Sequence, residues 1–405
     1  MSKKTIAIDG RRRERGQTIV LVAVALVSLL GMAALAIDVT TLYVARGELQ
    51  RAADAAALAG AKAFVDSGVT TDNSPTRQTL AQGMITSVIN AMMAQNKVSG
   101  AAPTLVAATP DFTRPGNPQV TVTLQRANLP TFFARIWGTK LVTASASAVA
   151  EAYNPANAPT GYPPIQPKCV KPMLVANQDP KSATPSQFVD PTTGAPIATN
   201  VIGETVTLKP CPSAGCPPLV PNLQFNPALV SPGTANLCPG TCSPPADDYE
   251  TSIECCDAAT VPATQYTCGA ALPNPTVNAA LAGGVLRAET KNGLQCMTNH
   301  PSEDTLDPTD LLVGTGPARI TAGSGPQVGT LVTTSRSIAT LPIVQSPSGP
   351  VKVIGFLQVF FDPVPAAPAF PTARILNVVG CGNSPGASPP VLGGGFSPIP
   401  VRLIH

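Results

Sequence analysis

The sequence predicts an α+β protein. A long N-terminal helix, transmembrane at first and continuing outside, packs with a second helix on a small antiparallel sheet, and an irregular β-rich region follows. Residues 17–37 form an uncharged apolar run, beyond which the helical pattern continues to about residue 66. Six of the 45 prolines lie in residues 1–154, and all ten cysteines lie in the proline-rich remainder. We therefore expect two regions with a boundary near residues 154–172.

The apolar run is long enough to cross a membrane. Its uncharged residues from Gln17 to Ile37 correspond to about 31 Å of helix at about 1.5 Å per residue. Six basic residues precede it, namely Lys3, Lys4, Arg11, Arg12, Arg13 and Arg15. Asp38 follows it, so the positive-inside rule places the N-terminus in the cytoplasm. The predicted segments are a basic tail at 1–15, a transmembrane helix at 16–38, an α+β region at 39–154 and a Pro/Cys-rich extracytoplasmic region at 155–405.

Two kinds of cleavage compete with a permanent anchor. Ala34-Leu35-Ala36 has the small-x-small form of a signal-peptide site. Against it, the run is longer than the apolar part of a usual signal peptide, and no proline or turn cluster interrupts the helix before Ser74. A pilin-like cut between Gly16 and Gln17 would need a glutamate where Leu21 stands. The sequence favours the anchor, and the basic flank disfavours a core helix of a soluble protein.

The formal charge of +3 is a topology signal and does not indicate nucleic-acid binding. Outside residues 1–15 the chain has 20 basic and 21 acidic residues, a charge of −1. Aromatic residues make up 4% of the chain, and no basic patch is interleaved with them.

The helix beyond the membrane carries two ridges of small residues and a polar strip. The ridges repeat at four residues and consist of Ala52, Ala56 and Gly60 beside Ala53, Ala57 and Ala61. Such ridges let a neighbouring helix or strand approach closely, and we expect them to pack against a partner helix. Arg46, Gln50 and Asp54 form the polar strip, which is either a solvated face or a partner-binding face.

Shorter elements follow. Ser74-Pro75 predicts the start of a second helix that runs to about Gln95. The strands predicted next are 104–108, 119–125 and 140–152, with a short helix at Thr131–Trp137. Beyond residue 155 prolines and glycines make helix improbable over most of the chain. The candidate strands there are 204–208, 284–288, 317–321, 328–333, 336–343, 351–361 and 373–380.

The cysteines favour disulfides. All ten lie on the exported side, where the compartment permits oxidation. The candidates are Cys169, Cys211, Cys216, Cys238, Cys242, Cys255, Cys256, Cys268, Cys296 and Cys381. A four-cysteine zinc site drawn from the pairs 211/216 and 238/242, or free thiols, are the alternatives.

Catalytic, cofactor and metal sites are not predicted. The acidic run of Glu303, Asp304, Asp307 and Asp310 lacks the alternating pattern and turn glycine of a calcium loop, so a solvated loop is favoured. The chain has two histidines and no hydrolase or phosphate-loop motif. We expect no enzymatic activity and no cofactor.

Residues 15–63 resemble the N-terminal region of the TadE/TadG-like proteins of the Flp (tight adherence) pilus assembly system. The residues that carry the resemblance are Arg15-Gly16-Gln17, Ala36-Ile37-Asp38-Val39, the stretch 42–46 and the stretch 49–61. Residues 120–152, with Pro130 to Gly138 and Thr143 to Ala148, look like the strand–helix–strand that follows in that family. The metal motif of the von Willebrand A domain in some longer TadG-like proteins is missing, so that ion site is not carried over.

The resemblance implies an accessory component of a type IV-like pilus machine, anchored in the bacterial inner membrane with its C-terminal region outside the cytoplasm. Its partners would be the membrane and other Tad/Flp subunits, in a lateral homo- or hetero-oligomer. The alternative is a surface-exposed adhesin or ligand-binding envelope protein that uses the disulfide-linked region. A third hypothesis is an envelope protein that has this anchor and no pilus role.

Overall fold

The computed structural model describes most of the chain in two compact units. The first consists of Met1–Ala53, Met93–Ala107 and Thr123–Ser147, and the second of Asp54–Met92, Ala108–Val122 and Ala148–His405. The described residues are 11–114, 116–138, 141–154, 165–167, 170–181, 187–197, 200–211, 222–229, 247–255, 268, 271–272, 278, 280–307, 320–332, 334–345, 351–365, 369–382, 391–392 and 397–404.

Two helices come first, α1 at Arg11–Ser67 and α2 at Pro75–Gln95. Alanine and leucine, which lose little side-chain freedom in a helix, are abundant in α1. The helix ends where Gly68 takes a left-handed φ of 75° and its N–H bonds the carbonyl of Val65 at 3.1 Å. Proline at the first position of α2 removes an N–H that would have no partner in the helix. The predicted end of α1 and both predicted bounds of α2 are confirmed, whereas α1 extends back to Arg11, ahead of its predicted start at residue 16.

A four-stranded sheet follows. Its strands are β1 at Thr104–Asp111, β2 at Gln119–Pro130, β3 at Leu141–Ala152 and β16 at Val401–Ile404, and their order is β1-β2-β3-β16. Thr123 contacts Ser147 and Gln119 contacts Glu151. These two pairs run in opposite directions along the strands, so β2 and β3 are antiparallel.

The strand β16 comes from the far end of the sequence. It pairs antiparallel with β3, with Val401 opposite Ala152 and Ile404 opposite Val149. Arg402 forms an ion pair with Glu151 at 2.6 Å, and its guanidinium lies 4.4 Å from the ring centre of Tyr153. Sequence analysis did not anticipate this strand.

Between β3 and β16, the described residues form two further α-helices and twelve further strands. They are β4 Ile165–Gln166, β5 Met173–Ala176, β6 Thr205–Pro210, β7 Asn222–Pro227, α3 Asp248–Glu254, β8 Ala271–Leu272, α4 Ala288–Thr298, β9 Thr305–Leu306, β10 Ile320–Thr321, β11 Leu331–Val332, β12 Ile338–Val344, β13 Val351–Phe361, β14 Thr372–Gly380 and β15 Val391–Leu392.

Six of these strands close into a barrel. Their order is β12-β5-β7-β6-β14-β13, and β13 pairs back onto β12. The pairs β5–β12 and β6–β7 are parallel and the other four are antiparallel. The buried core includes Val175, Phe225 and Leu357 from the strands, with Ile253 from α3 and Leu294 from α4. Closure pairs the edges that an open sheet would expose.

The predicted α+β class is confirmed, with the long apolar helix first and a β-rich remainder. The remainder is more regular than predicted, because four of the predicted strands correspond to β6, β12, β13 and β14 of the barrel. The predicted strand at 284–288 is wrong. Ala288 begins α4, since the residues after it, such as Glu289 and Leu294, have good helix propensity.

Candidate functional site

Residues 17–37 of α1 present an apolar surface to the outside of the molecule. Ile19, Leu26 and Leu30 keep 69%, 57% and 61% of their side chains exposed. Among the described residues, α1 is the one helix long and apolar enough to cross a membrane, judged by length and composition. A helix whose large apolar residues stay exposed is unfavourable in water and suits a lipid environment.

Asp38, the first charged residue after this surface, is buried and binds the loop between β2 and β3. Its Oδ1 accepts a hydrogen bond from the N–H of Phe132 at 2.8 Å. Its Oδ2 accepts from the N–H groups of Phe133 at 3.0 Å and Ala134 at 2.6 Å. The three donors offset the cost of removing the carboxylate from water.

These hydrogen bonds cap a short helical turn with a residue that lies far away in the sequence. Ala134 begins a 3-10 turn that ends at Trp137, and the side chain of its N-cap residue Phe133 makes no capping hydrogen bond. N–H groups at the start of such a turn lack partners within it. The Asp38 carboxylate supplies the missing acceptor from another part of the chain.

This role of Asp38 was not predicted from the sequence, in which it marks the charged end of the membrane span. The sequence did indicate that this turn lacks a strong cap of its own, because the stretch from Pro130 to Phe133 contains neither Asp nor Asn, which are among the strongest N-cap residues. Spacing alone could not indicate which distant acidic residue would serve. The exit of the apolar run and the β2–β3 loop thus meet at one carboxylate.

The three residues of the polar strip of α1 differ in their burial and contacts. Gln50 donates from Nε2 to the carbonyl of Ser147 in β3 at 3.2 Å. Arg46 is exposed, and Asp54 is partly buried. Glu48, which lies between Arg46 and Gln50 in the sequence, accepts a hydrogen bond from the N–H of Ser99 at 2.8 Å. At least one residue of the polar strip, Gln50, therefore contacts this chain itself.

The small-residue ridges of α1 are buried inside the chain. Ala52, Ala53, Ala56, Ala57 and Ala61 are between 0% and 2% exposed. Gly60 is also buried, and a Cβ there would lie 3.0 Å from Val120 Cγ1 and 3.5 Å from Ile89 Cδ1. The close approach that small residues permit is used by β2 and α2 of the same chain, where the sequence led us to expect a partner helix.

The end of α1 is bound to the barrel through Asn377 of β14. Its Nδ2 donates to the carbonyl of Val65 at 3.2 Å and to Gln358 Oε1 at 2.7 Å, and its Oδ1 accepts from Thr70 at 3.3 Å. Thr71 Oγ1 accepts from the N–H of Val378 at 3.0 Å. Asn377 is buried, so these hydrogen bonds are sheltered from water.

Two further buried side chains join the same region. Arg77 in α2 donates to the carbonyl of Ser67 at 3.4 Å and to that of Ile202 at 3.2 Å. Asn154 donates from Nδ2 to the carbonyl of Thr70 at 3.2 Å. These contacts lie within the second unit and join the end of α1 to the region after residue 154.

Every cysteine that the structure describes is disulfide-bonded, which confirms the prediction of disulfides for these residues. They are Cys211, Cys255, Cys268, Cys296 and Cys381. Cys268 is bonded to Cys381, 113 residues further along the chain. The other candidates, Cys169, Cys216, Cys238, Cys242 and Cys256, lie outside the described residues, and their bonding stays a prediction.

Two residues of the acidic run, Glu303 and Asp304, make contacts within the fold. Asp304 accepts hydrogen bonds from the N–H of Gly323 at 2.8 Å and from Ser335 Oγ at 2.6 Å, and Glu303 pairs with His300. Asp310 lies outside the described residues. Among those that are described, no three His, Cys, Asp or Glu side chains form a group that could hold a metal ion.

An open polar cavity of about 600 Å³ lies beside Asp304. Asn299, Gln327 and Arg336 contribute polar side chains to its lining. Sequence analysis did not identify this cavity, because its lining comes from three separate stretches of chain.

A buried cluster of charged residues lies beside α3. Lys171 is 2% exposed and donates from Nζ to the carbonyl of Cys255 at 3.0 Å. Burial lowers the pKa of Lys171 to about 7, although the charge of Glu254 raises it. Burial, and then the charge and hydrogen bond of Glu250, raise the pKa of Glu254 to about 7, although Lys171 lowers it.

Comparison with known proteins bears on the first part of the chain. No curated protein and no solved structure gives a significant match. The resemblance expected for residues 120–152 lies outside the segment that a family model covers, and it stays a prediction. Residues 16–63, which contain both the exposed apolar run and Asp38, match the family described as putative Flp pilus-assembly TadE/G-like.

Proposed function

We propose that this protein is a non-catalytic, membrane-anchored component of a Flp-type pilus assembly machine, with α1 crossing the inner membrane and the barrel outside the cytoplasm. The observation that carries the proposal is the match over residues 16–63, a segment that joins an exposed apolar helix to a buried one. The six basic residues before the span support an N-terminus in the cytoplasm.

In each unit, buried hydrogen bonds hold part of the proposed exported region to its own portion of α1. Asp38 binds the β2–β3 loop in the first unit, and Asn377 binds the end of α1 to the barrel in the second unit. Because the small-residue ridges are covered, lateral contact with related subunits would use the exposed surface of residues 17–37. Gly31 has no atom within 4 Å of where its Cβ would lie, so a neighbouring helix could approach there.

The test is an exchange of the span. Residues 17–37 are replaced by an unrelated apolar span of the same length, and the membrane form is crosslinked and purified from cells. We expect the native chain to capture pilus assembly subunits and to support piliation, and the exchanged chain to lose both while staying in the membrane fraction. Unchanged piliation and unchanged captured subunits would show that the span is only an anchor.

The alternative of a ligand-binding envelope protein is favoured by one observation, the polar cavity beside Asp304. Its size is in the range of small-molecule sites, but its lining is more polar than such sites usually are. Proteolysis of intact cells separates the two hypotheses, because cleavage of the barrel by added protease requires its exposure at the cell surface.

A further inference from the structure

We propose that the β2–β3 loop, residues 131–138, is a second membrane contact, in which Phe132 and Phe133 insert into the interfacial layer of the bilayer that α1 crosses. The proposal rests on the membrane anchoring proposed above and adds a lipid-binding surface outside the helix.

Two adjacent aromatic side chains are exposed on this loop. Phe132 is 61% exposed and Phe133 is 36% exposed. Leu141, which begins β3, is 55% exposed. Because β2 and β3 are antiparallel neighbours, Leu141 lies at the same end of the sheet as the loop. Single exposed apolar residues are common, but such residues clustered at one loop indicate a surface that is covered in use.

The loop lies beside α1 at the point where the apolar run ends. The N–H groups of Phe132 and Phe133 lie 2.8 and 3.0 Å from the carboxylate oxygens of Asp38. Asp38 directly follows the apolar run, so it marks the level at which the helix leaves the hydrocarbon. The two phenylalanines are held at that same level.

The exposed loop side chains are continuous with the exposed surface of α1. Ile37 and Val39, on either side of Asp38, are 50% and 57% exposed, and Tyr43 one turn later is 79% exposed. Aromatic side chains are enriched at this depth of a membrane. Arg135 in the same loop is exposed, which suits contact with lipid phosphates. A lipid surface therefore fits the loop better than a protein groove.

Fluorescence quenching tests the proposal on the full chain. Trp137 is the single tryptophan, so Trp137→Phe removes the native signal. Phe132→Trp in that background places the probe on the loop. Leu331→Trp in the same background places it on β11, at a residue 61% exposed in the barrel unit. Each protein is reconstituted into vesicles that contain lipids brominated near the carbonyl group.

We expect brominated lipid to reduce emission at position 132 several times more than at position 331. Equal quenching at the two positions, in a protein that floats with the vesicles, would overturn the loop contact and leave the anchor intact. A protein that does not float with the vesicles would overturn the anchor, and the loop contact with it. In a Phe133→Ser variant of the position-132 probe, quenching should fall, whereas Phe133→Leu should restore it.

Discussion

The side-chain amide of Asn377 in β14 bonds the backbone carbonyl of Val65 at the end of α1, across 312 residues of sequence. Val65 lies just beyond the segment that matches the pilus-assembly family, and Asn377 lies in the last long strand of the barrel. The helix and the barrel therefore share buried hydrogen bonds. A change at one of them is expected to affect the stability of the other.

Substitution of Asn377 by alanine should destabilise the protein by about 1–3 kcal/mol, because the buried carbonyl of Val65 and the amide oxygen of Gln358 lose a donor. Denaturant unfolding of the purified chain in detergent measures the loss. Asn90→Ala, on the exposed face of α2, is the matched control and should change stability by less than about 0.5 kcal/mol. Equal losses for the two variants would contradict the prediction.

Gly60 and Gly47 make a matched pair in α1. A Cβ at Gly60 would lie 3.0 Å from Val120 Cγ1, whereas at Gly47 it would meet nothing within 4 Å. Gly60→Leu should therefore cost about 1–3 kcal/mol of stability through overpacking. Gly47→Leu should be neutral or stabilise the helix by up to about 1 kcal/mol. Thermal unfolding compares the two, and similar melting temperatures would show that the ridge is less tightly packed than described.

Removal of the Asp38 carboxylate should release the β2–β3 loop. In Asp38→Ala the N–H groups of Phe132, Phe133 and Ala134 lose their acceptor, and their hydrogen exchange should accelerate strongly. Mass spectrometry of peptides that cover residues 130–138 measures the rate. Arg46→Ala, at an exposed position on the same helix, should leave that rate unchanged. Unchanged protection in Asp38→Ala would mean that other contacts hold the turn.

The buried pair of Glu254 and Lys171 predicts a stability minimum near pH 7. Since the pKa of Glu254 is raised to about 7, the folded state holds an extra proton from about pH 4.5 to 7, and stability falls as pH rises there. Since the pKa of Lys171 is lowered to about 7, the unfolded state holds the extra proton from about pH 7 to 10.5, and stability rises with pH there.

Variants separate the two contributions. Glu254→Gln should abolish the fall below pH 7, and Lys171→Met should abolish the rise above it. The measured quantity is the difference in unfolding free energy between wild type and variant at each pH, because the titration of groups that do not interact with the substituted residue cancels. A difference that does not vary with pH would contradict the prediction for that residue.

The disulfide between Cys268 and Cys381 should stabilise the barrel by limiting the unfolded chain. Disulfides typically contribute about 2–4 kcal/mol, and the chain-entropy relation gives about 5 kcal/mol for a loop of this length. Replacement of both cysteines by alanine should lower the denaturant midpoint accordingly, under conditions that keep the other disulfides oxidised. An unchanged midpoint would show that the hydrogen bond between the Cys381 N–H and Ile354, together with core packing, suffices.

The first 152 residues could be predicted in detail because their signals are local. Helical periodicity, the Ser74-Pro75 start and the alternation of Val120, Val122 and Leu124 each specify an element within a few residues. The barrel could not be predicted in the same way. Strands such as β5, with four residues, are too short to show a period, and their partners lie far away in the sequence.

The sequence identified the residues of the candidate site, but it did not identify which residues they contact. The spacing of Ala56 and Gly60 indicated close packing, but spacing does not identify the neighbour, which proved to be β2 and α2 of the same chain. The charge of Asp38 was evident, whereas its three donors lie 94 to 96 residues away. Contacts at such separations depend on the topology of the whole sheet.

If the chain is exported as proposed above, the pairing of β16 with β3 sets an order of events during export. A chain that crosses the membrane from its N-terminus delivers Ala152 well before Val401, its partner in the sheet. At about 5–20 residues per second of synthesis, the edge of β3 waits roughly 10–50 s for its neighbour. During that interval an unpaired strand is open to wrong partners. In the topology proposed above, the four-stranded sheet is complete only once Val401 has crossed the membrane, and until then β3 presents an unpaired edge that a chaperone could protect.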